Sequence, residues 1–143
     1  MQRNTFPFFY ELRVRYSEID AQGIVFNAHY LTYFDTALTE YLRHVGYDYQ
    51  RDVVGRGIDF HVVKSLVEYR SPVRYDELID IGVCLGRVGR SSLSWTLGVF
   101  GTGCDEARAS GEIIWVCASA GSHQSTPVPT DIVERLQVSG AKP

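Results

Sequence analysis

Asp20 stands three residues before Gly23, within the run Ser17-Glu18-Ile19-Asp20-Ala21-Gln22-Gly23-Ile24-Val25-Phe26-Asn27-Ala28-His29-Tyr30, and a helical pattern begins a few residues beyond that glycine. A carboxylate can attack a carbonyl carbon or activate a water that does so. Free N–H groups at a helix start lie at the positive end of the helix dipole and can hold an oxygen that becomes negative. Glycine adopts positive φ without strain and lets a ligand approach the backbone. Asp20, Gly23 and the amide of Asn27 are therefore candidates for carbonyl chemistry. The same residues also suit an ordinary turn, a loop glycine and a helix cap, and spacing alone leaves both readings open.

The flanking elements must position these groups. Residues 8–16 read as a strand with Tyr10, Leu12, Val14 and Tyr16 on one face. Residues 30–45 read as a helix about 25 Å long, with Leu31, Phe34, Leu38, Tyr41, Leu42 and Val45 as its apolar stripe. Asn27 is expected to cap it and Gly46 to end it. Four strands are predicted at 59–70, 78–87, 92–100 and 107–118, with turns at Gly89-Arg90 and Gly101-Thr102-Gly103. Residues 131–137 suit a short closing helix. The order β, long helix, then four β predicts an α+β fold with a mostly antiparallel five-stranded sheet, within one domain, 1–143. One helix cannot cover both faces of such a sheet. The other face is expected to be polar, or a second copy of the chain to cover it or extend an edge, which points to a homodimer or homotetramer.

Composition limits the function. The 143 residues include 45% hydrophobic and 22% charged side chains, a balance that argues against disorder. A net charge of −3 does not suggest nucleic-acid binding, and no apolar run approaches the roughly 20 residues that span a membrane. Residues 1–10 lack a secretory pattern, so a cytoplasmic location is the default expectation. Cys84, Cys104 and Cys117 have no metal-ligand spacing. No phosphate-binding loop, dinucleotide fingerprint or nucleophile-elbow serine is present, and no cofactor or metal is expected.

The strand–helix–four-strand order, with Asp20-Ala21-Gln22-Gly23 and then Tyr30, resembles the hot-dog fold thioesterases, specifically the 4-hydroxybenzoyl-CoA thioesterase-like branch. Gly23-Ile24-Val25-Phe26, Tyr33-Phe34-Asp35-Thr36-Ala37 and the tail Ser125-Thr126-Pro127-Val128-Pro129 extend the likeness to about residues 10–136. The resemblance implies a sheet wrapped around one long central helix. It also implies hydrolysis of a small or medium acyl-CoA to free acid and coenzyme A, which is part of the substrate. Asp20 is then the catalytic carboxylate, Gly23 shapes its loop and the Asn27 amide polarises the carbonyl. Tyr30 and Asp35 are implied at the acyl group, and Arg87, Arg90 and Ser91 at the phosphates, where a guanidinium fork suits the chemistry. Lys64, Arg70 and Arg74 are further cations without a matching motif.

The remaining candidates read more plainly. Glu18 reads as a solvated surface acid and His29 as a packing or capping residue. Hydrolysis of acyl chains on acyl carrier protein, a non-catalytic acyl-CoA binding module and a dehydratase remain alternatives, since one fold hosts several functions.

Overall fold

The computed structural model describes residues 1–140, with side chains as far as Val138. The elements follow the order β1 (Phe8–Arg13), α1 (His29–His44), α2 (Tyr49–Asp52), β2 (Ile58–Tyr69), β3 (Leu78–Val88), β4 (Ser92–Gly101), β5 (Ala109–Ser119) and α3 (Thr130–Gly140). The sheet order is β1-β3-β4-β5-β2, with every neighbouring pair antiparallel. Consecutive strands β3, β4 and β5 form hairpins, and β2 takes the far edge beside β5.

β1 stops earlier than its alternation predicts. The Val14 N–H donates to the Glu77 carbonyl, and the chain then tightens into a 3₁₀ turn, Tyr16–Glu18. Tyr16 therefore leaves the sheet and is 81% exposed, whereas Val14 is buried.

α1 crosses one face of the sheet, but with its stripe rotated from the expected one. The buried residues are Tyr30, Tyr33, Phe34, Ala37, Leu38 and Tyr41, while Leu31 is 39% exposed. Tyrosines and a small alanine fill this face, so counting only the most apolar residues misjudged its phase. Phe34 is fully buried above Gly111 of β5. A Cβ at residue 111 would lie 2.4 Å from the Phe34 ring, so the helix can sit this close only over glycine. The Tyr41 hydroxyl donates to the Leu136 carbonyl at 3.0 Å and fastens α1 to α3. Burial pushes that hydroxyl's pKa up to about 12.

The opposite face is covered by the chain's own N-terminal segment over β1, β3 and β4. Phe6 packs edge-to-face with Phe9 and Phe100 at 5.9 and 5.5 Å, in the space left by Gly82 and Gly98. Arg3 stacks 4.4 Å from the Phe9 ring centroid and pairs with Asp80 at 2.6 Å. This apolar cover was not predicted, because residues 1–7 carry no strand or helix periodicity. The β2 edge stays open, and Val62, Val63, Leu66 and Tyr69 are exposed along it.

A buried carboxylate holds the far end together. Asp52 is 0% exposed and accepts from Arg51 at 2.7 and 3.1 Å, from Arg135 of α3 at 2.9 and 3.1 Å, and from the Asp48 N–H at 2.8 Å. Hydrogen bonds from Arg51 and then Arg135 hold its carboxyl well below the usual range. A carboxyl depressed in the folded state stabilises the fold above its unfolded value, about 3.9, and loses that contribution as pH falls through the folded value. Asp52→Asn should cost about 2–3 kcal/mol near neutral pH. In denaturant melts the gap from wild type should narrow below about pH 4. An equal gap at neutral and acidic pH would contradict this role.

Candidate active site

The segment between β1 and α1 folds as a tight hairpin. Ile19 and Val25 form an isolated antiparallel bridge, the Asp20 N–H donates to the Ile24 carbonyl at 2.9 Å, and the Gly23 N–H donates to the Asp20 carbonyl at 3.0 Å. Gly23 has φ +74°, and a Cβ there would meet nothing within 4 Å. The glycine is thus required by backbone conformation, and a close neighbour does not demand it. The Val25 N–H donates to the Val73 carbonyl at 2.9 Å, which seats the hairpin beside the start of β3.

Asp20 caps its own turn with one oxygen. Its Oδ1 accepts from the Gln22 N–H at 2.8 Å, while Oδ2 receives no hydrogen bond among the described residues. The carboxylate is half-buried on the wall of a cleft of about 330 Å³, lined also by Gln22, Asn27, Tyr30, Tyr69 and Arg70.

The helix start differs from the expected cap. The N-cap residue is Ala28, with no side-chain hydrogen bond, and Asn27 lies one position earlier. The N–H groups of Asn27 and Ala28 donate to no acceptor among the described residues. The Asn27 carbonyl instead accepts from the Tyr69 hydroxyl at 2.9 Å. Tyr30 is buried and meets the Tyr69 ring edge-on at 5.0 Å. Asp20 and Asn27 therefore line one cleft with a carboxylate oxygen and a backbone donor unpaired among the described residues, and the Ala28 N–H follows directly, an arrangement suited to a carbonyl that gains negative charge on oxygen. His29 packs edge-to-face on Phe26 at 5.8 Å.

The other predicted residues lie elsewhere on the chain. Asp35 is exposed on a separate cleft of about 470 Å³ beside Leu42, Phe60, Val62 and Trp115. Arg87, Arg90 and Ser91 lie at the β3–β4 turn. The Arg90 carbonyl accepts from Val128 and the Ser91 carbonyl from Cys117. From Leu78 to Arg87 the strand runs roughly 30 Å, so one chain does not bring this turn to Asp20. Arg70, a cation without a motif, does line the Asp20 cleft. Among the described residues no group of three or more His, Cys, Asp or Glu could hold a metal ion, and no helix is long and apolar enough to cross a membrane.

Glu18 is a buried, hydrogen-bonded carboxylate and not a surface acid. It is 5% exposed, and its Oε2 accepts from the Tyr33 hydroxyl at 2.7 Å and the Arg15 N–H at 2.8 Å, its Oε1 from Arg15 Nε at 3.0 Å. Burial would raise its pKa, but these hydrogen bonds outweigh it and hold the carboxyl below the ordinary range. Burial and then the Glu18 contact push the Tyr33 hydroxyl far above its ordinary value. Glu18 reads in the sequence as a solvated surface acid, whereas the 3₁₀ turn aims it at α1.

The thioesterase superfamily pattern matches residues 22–107. The acyl-CoA thioester hydrolase YbgC of Escherichia coli is 31% identical over 137 residues, 94% of this chain and 98% of that protein. The crystal structure of the PA5185 protein from Pseudomonas aeruginosa superposes with a TM-score of 0.86 at 29% identity, covering 99% of this chain and 96% of that one. Slr0204, a 1,4-dihydroxy-2-naphthoyl-CoA thioesterase from Synechocystis, shares the fold with a TM-score of 0.80 at 15% identity, covering 93% of this chain and 94% of that one. With its antiparallel sheet packed on one long helix, the chain belongs to the thioesterase superfamily and is a hot-dog thioester hydrolase.

Proposed function

We propose that the chain hydrolyses acyl-CoA thioesters at the Asp20 cleft. The observation that supports this most is that Asp20, with its Oδ2 free of hydrogen bonds, and Asn27, with its N–H unpaired among the described residues, line one cleft, the unpaired Ala28 N–H following Asn27 in the chain. In the general-base route, Asp20 takes a proton from water as the water oxygen bonds to the carbonyl carbon. The carbonyl oxygen becomes negative against the two N–H groups, the C–S bond breaks, and the coenzyme A thiolate takes up the proton. In the nucleophilic route, Asp20 bonds to the carbonyl carbon first, the thiolate leaves, and water then hydrolyses the mixed anhydride. Each well-placed donor is worth about 3–4 kcal/mol to the charged intermediate.

Gly23 holds the turn, and Tyr30 lines the cleft near the acyl group. Asp35, Arg87, Arg90 and Ser91 serve a substrate held between two copies of the chain, because within one chain they are remote from Asp20. The open β2 edge, with exposed Val62, Val63 and Leu66, favours such a homo-oligomer.

Free-thiol release across a panel of acyl-CoA esters tests the chemistry. Asp20→Asn should lower kcat by at least about a hundredfold with little change in stability. Equal turnover in the variant would remove Asp20 from the mechanism. Tight binding without turnover by wild type would indicate a binding module, and faster release from the same acyl group on acyl carrier protein would reassign the carrier. For assembly, light scattering should give a multiple of the 16.1 kDa chain mass for wild type and a smaller species for Val63→Asp. A wild-type monomer would contradict the two-copy site.

A further inference from the structure

The Asp20 hairpin touches α1 through one buried polar contact that the hydrolysis steps do not use. The Glu18 side chain binds the Tyr33 hydroxyl on α1 and two Arg15 donors on the entering limb. The Glu18 carbonyl accepts from the Phe26 N–H at 2.9 Å on the leaving limb. Asp20 follows Glu18 by two residues, and Asn27 follows Phe26 by one. The carboxylate and the helix-start donors are thus both referenced to a single residue, which is itself fixed to the helix that carries those donors.

We propose that Glu18 and Tyr33 form a positioning clamp that sets the Asp20 carboxylate against the Asn27 and Ala28 N–H groups. This inference rests on the proposed hydrolysis at Asp20. The leaving limb has further ties, through the His29 and Tyr30 N–H groups on the Phe26 and Asn27 carbonyls, the Tyr69 hydroxyl on the Asn27 carbonyl and the Phe26–His29 ring contact, whereas the Glu18–Tyr33 bond is the side-chain hydrogen bond that ties the entering limb to α1, so breaking it loosens the limb that leads into Asp20. Displacement of a reacting group by about 1 Å costs on the order of a hundredfold in rate. Such a shift acts on the chemical step more than on binding.

Kinetics of Tyr33→Phe and Glu18→Gln, measured where both are folded, test the clamp. Tyr33→Phe loses one hydrogen bond and should lower kcat about 3- to 10-fold, and Glu18→Gln by up to about a hundredfold, with KM within about twofold of wild type. The double variant should be no slower than Glu18→Gln alone, because both substitutions break one contact. Hydrogen exchange gives a readout independent of turnover: amides of residues 19–27 should exchange faster in both variants while β3 and β4 keep their protection. If Glu18→Gln fails to fold, Tyr33→Phe carries both measurements. Wild-type kcat in folded Tyr33→Phe, losses that multiply in the double variant, or unchanged exchange over 19–27 would overturn the clamp. Absence of turnover in wild type itself would overturn the hydrolysis reading, and exchange alone would then decide whether the clamp holds the loop.

Discussion

The close seat of α1 on the sheet is the constraint from which the site follows. Phe34 occupies the gap above Gly111, and this contact fixes both the height and the rotation of the helix. With Phe34 inward, Tyr30 and Tyr33 must also face the sheet side, one turn and less from the helix start. Tyr33 is then in reach of Glu18, and Tyr30 in reach of Tyr69. A packing decision in the core is in this way transmitted to the hairpin that carries Asp20.

The helix start also shows two demands in competition. A serine or aspartate at the N-cap would satisfy the first amides and stabilise the helix by about 1 kcal/mol. This chain has Ala28 there, with no side-chain cap, and the Asn27 and Ala28 N–H groups just ahead of the first turn are also unpaired among the described residues. The turn before it is satisfied internally, since one Asp20 oxygen and the Gly23 N–H are used by the loop itself. Stability is secured at the other end, where Asp52 gathers Arg51, Arg56 and Arg135.

Features set by local pattern were legible in the sequence. The helix predicted over 30–45 is His29–His44, and the four later strands fall within two residues of their predicted bounds. The Asp20-to-Gly23 spacing marked a turn with an available carboxylate. Features set by contacts between distant residues were not legible. The phase of the α1 stripe depended on Gly111, seventy-odd residues away in the chain. Burial of Glu18 depended on a 3₁₀ turn just past the predicted strand and on Tyr33 fifteen residues later. The cover of Phe6 over Gly82 and Gly98 depended on a segment with no periodicity of its own. The separation of Arg87 from Asp20 follows from strand order, which a motif cannot convey.

Hydrolysis at this site requires the Asp20 oxygen and the helix-start amides to meet the substrate together. The most direct measurement is amide NMR of Asp20→Asn protein titrated with a non-hydrolysable thioether analogue of an acyl-CoA. The Gln22, Asn27 and Ala28 amide resonances should shift together and saturate with the analogue. Saturation with those three unmoved, and shifts confined to the Asp35 cleft or the β3–β4 turn, would contradict it.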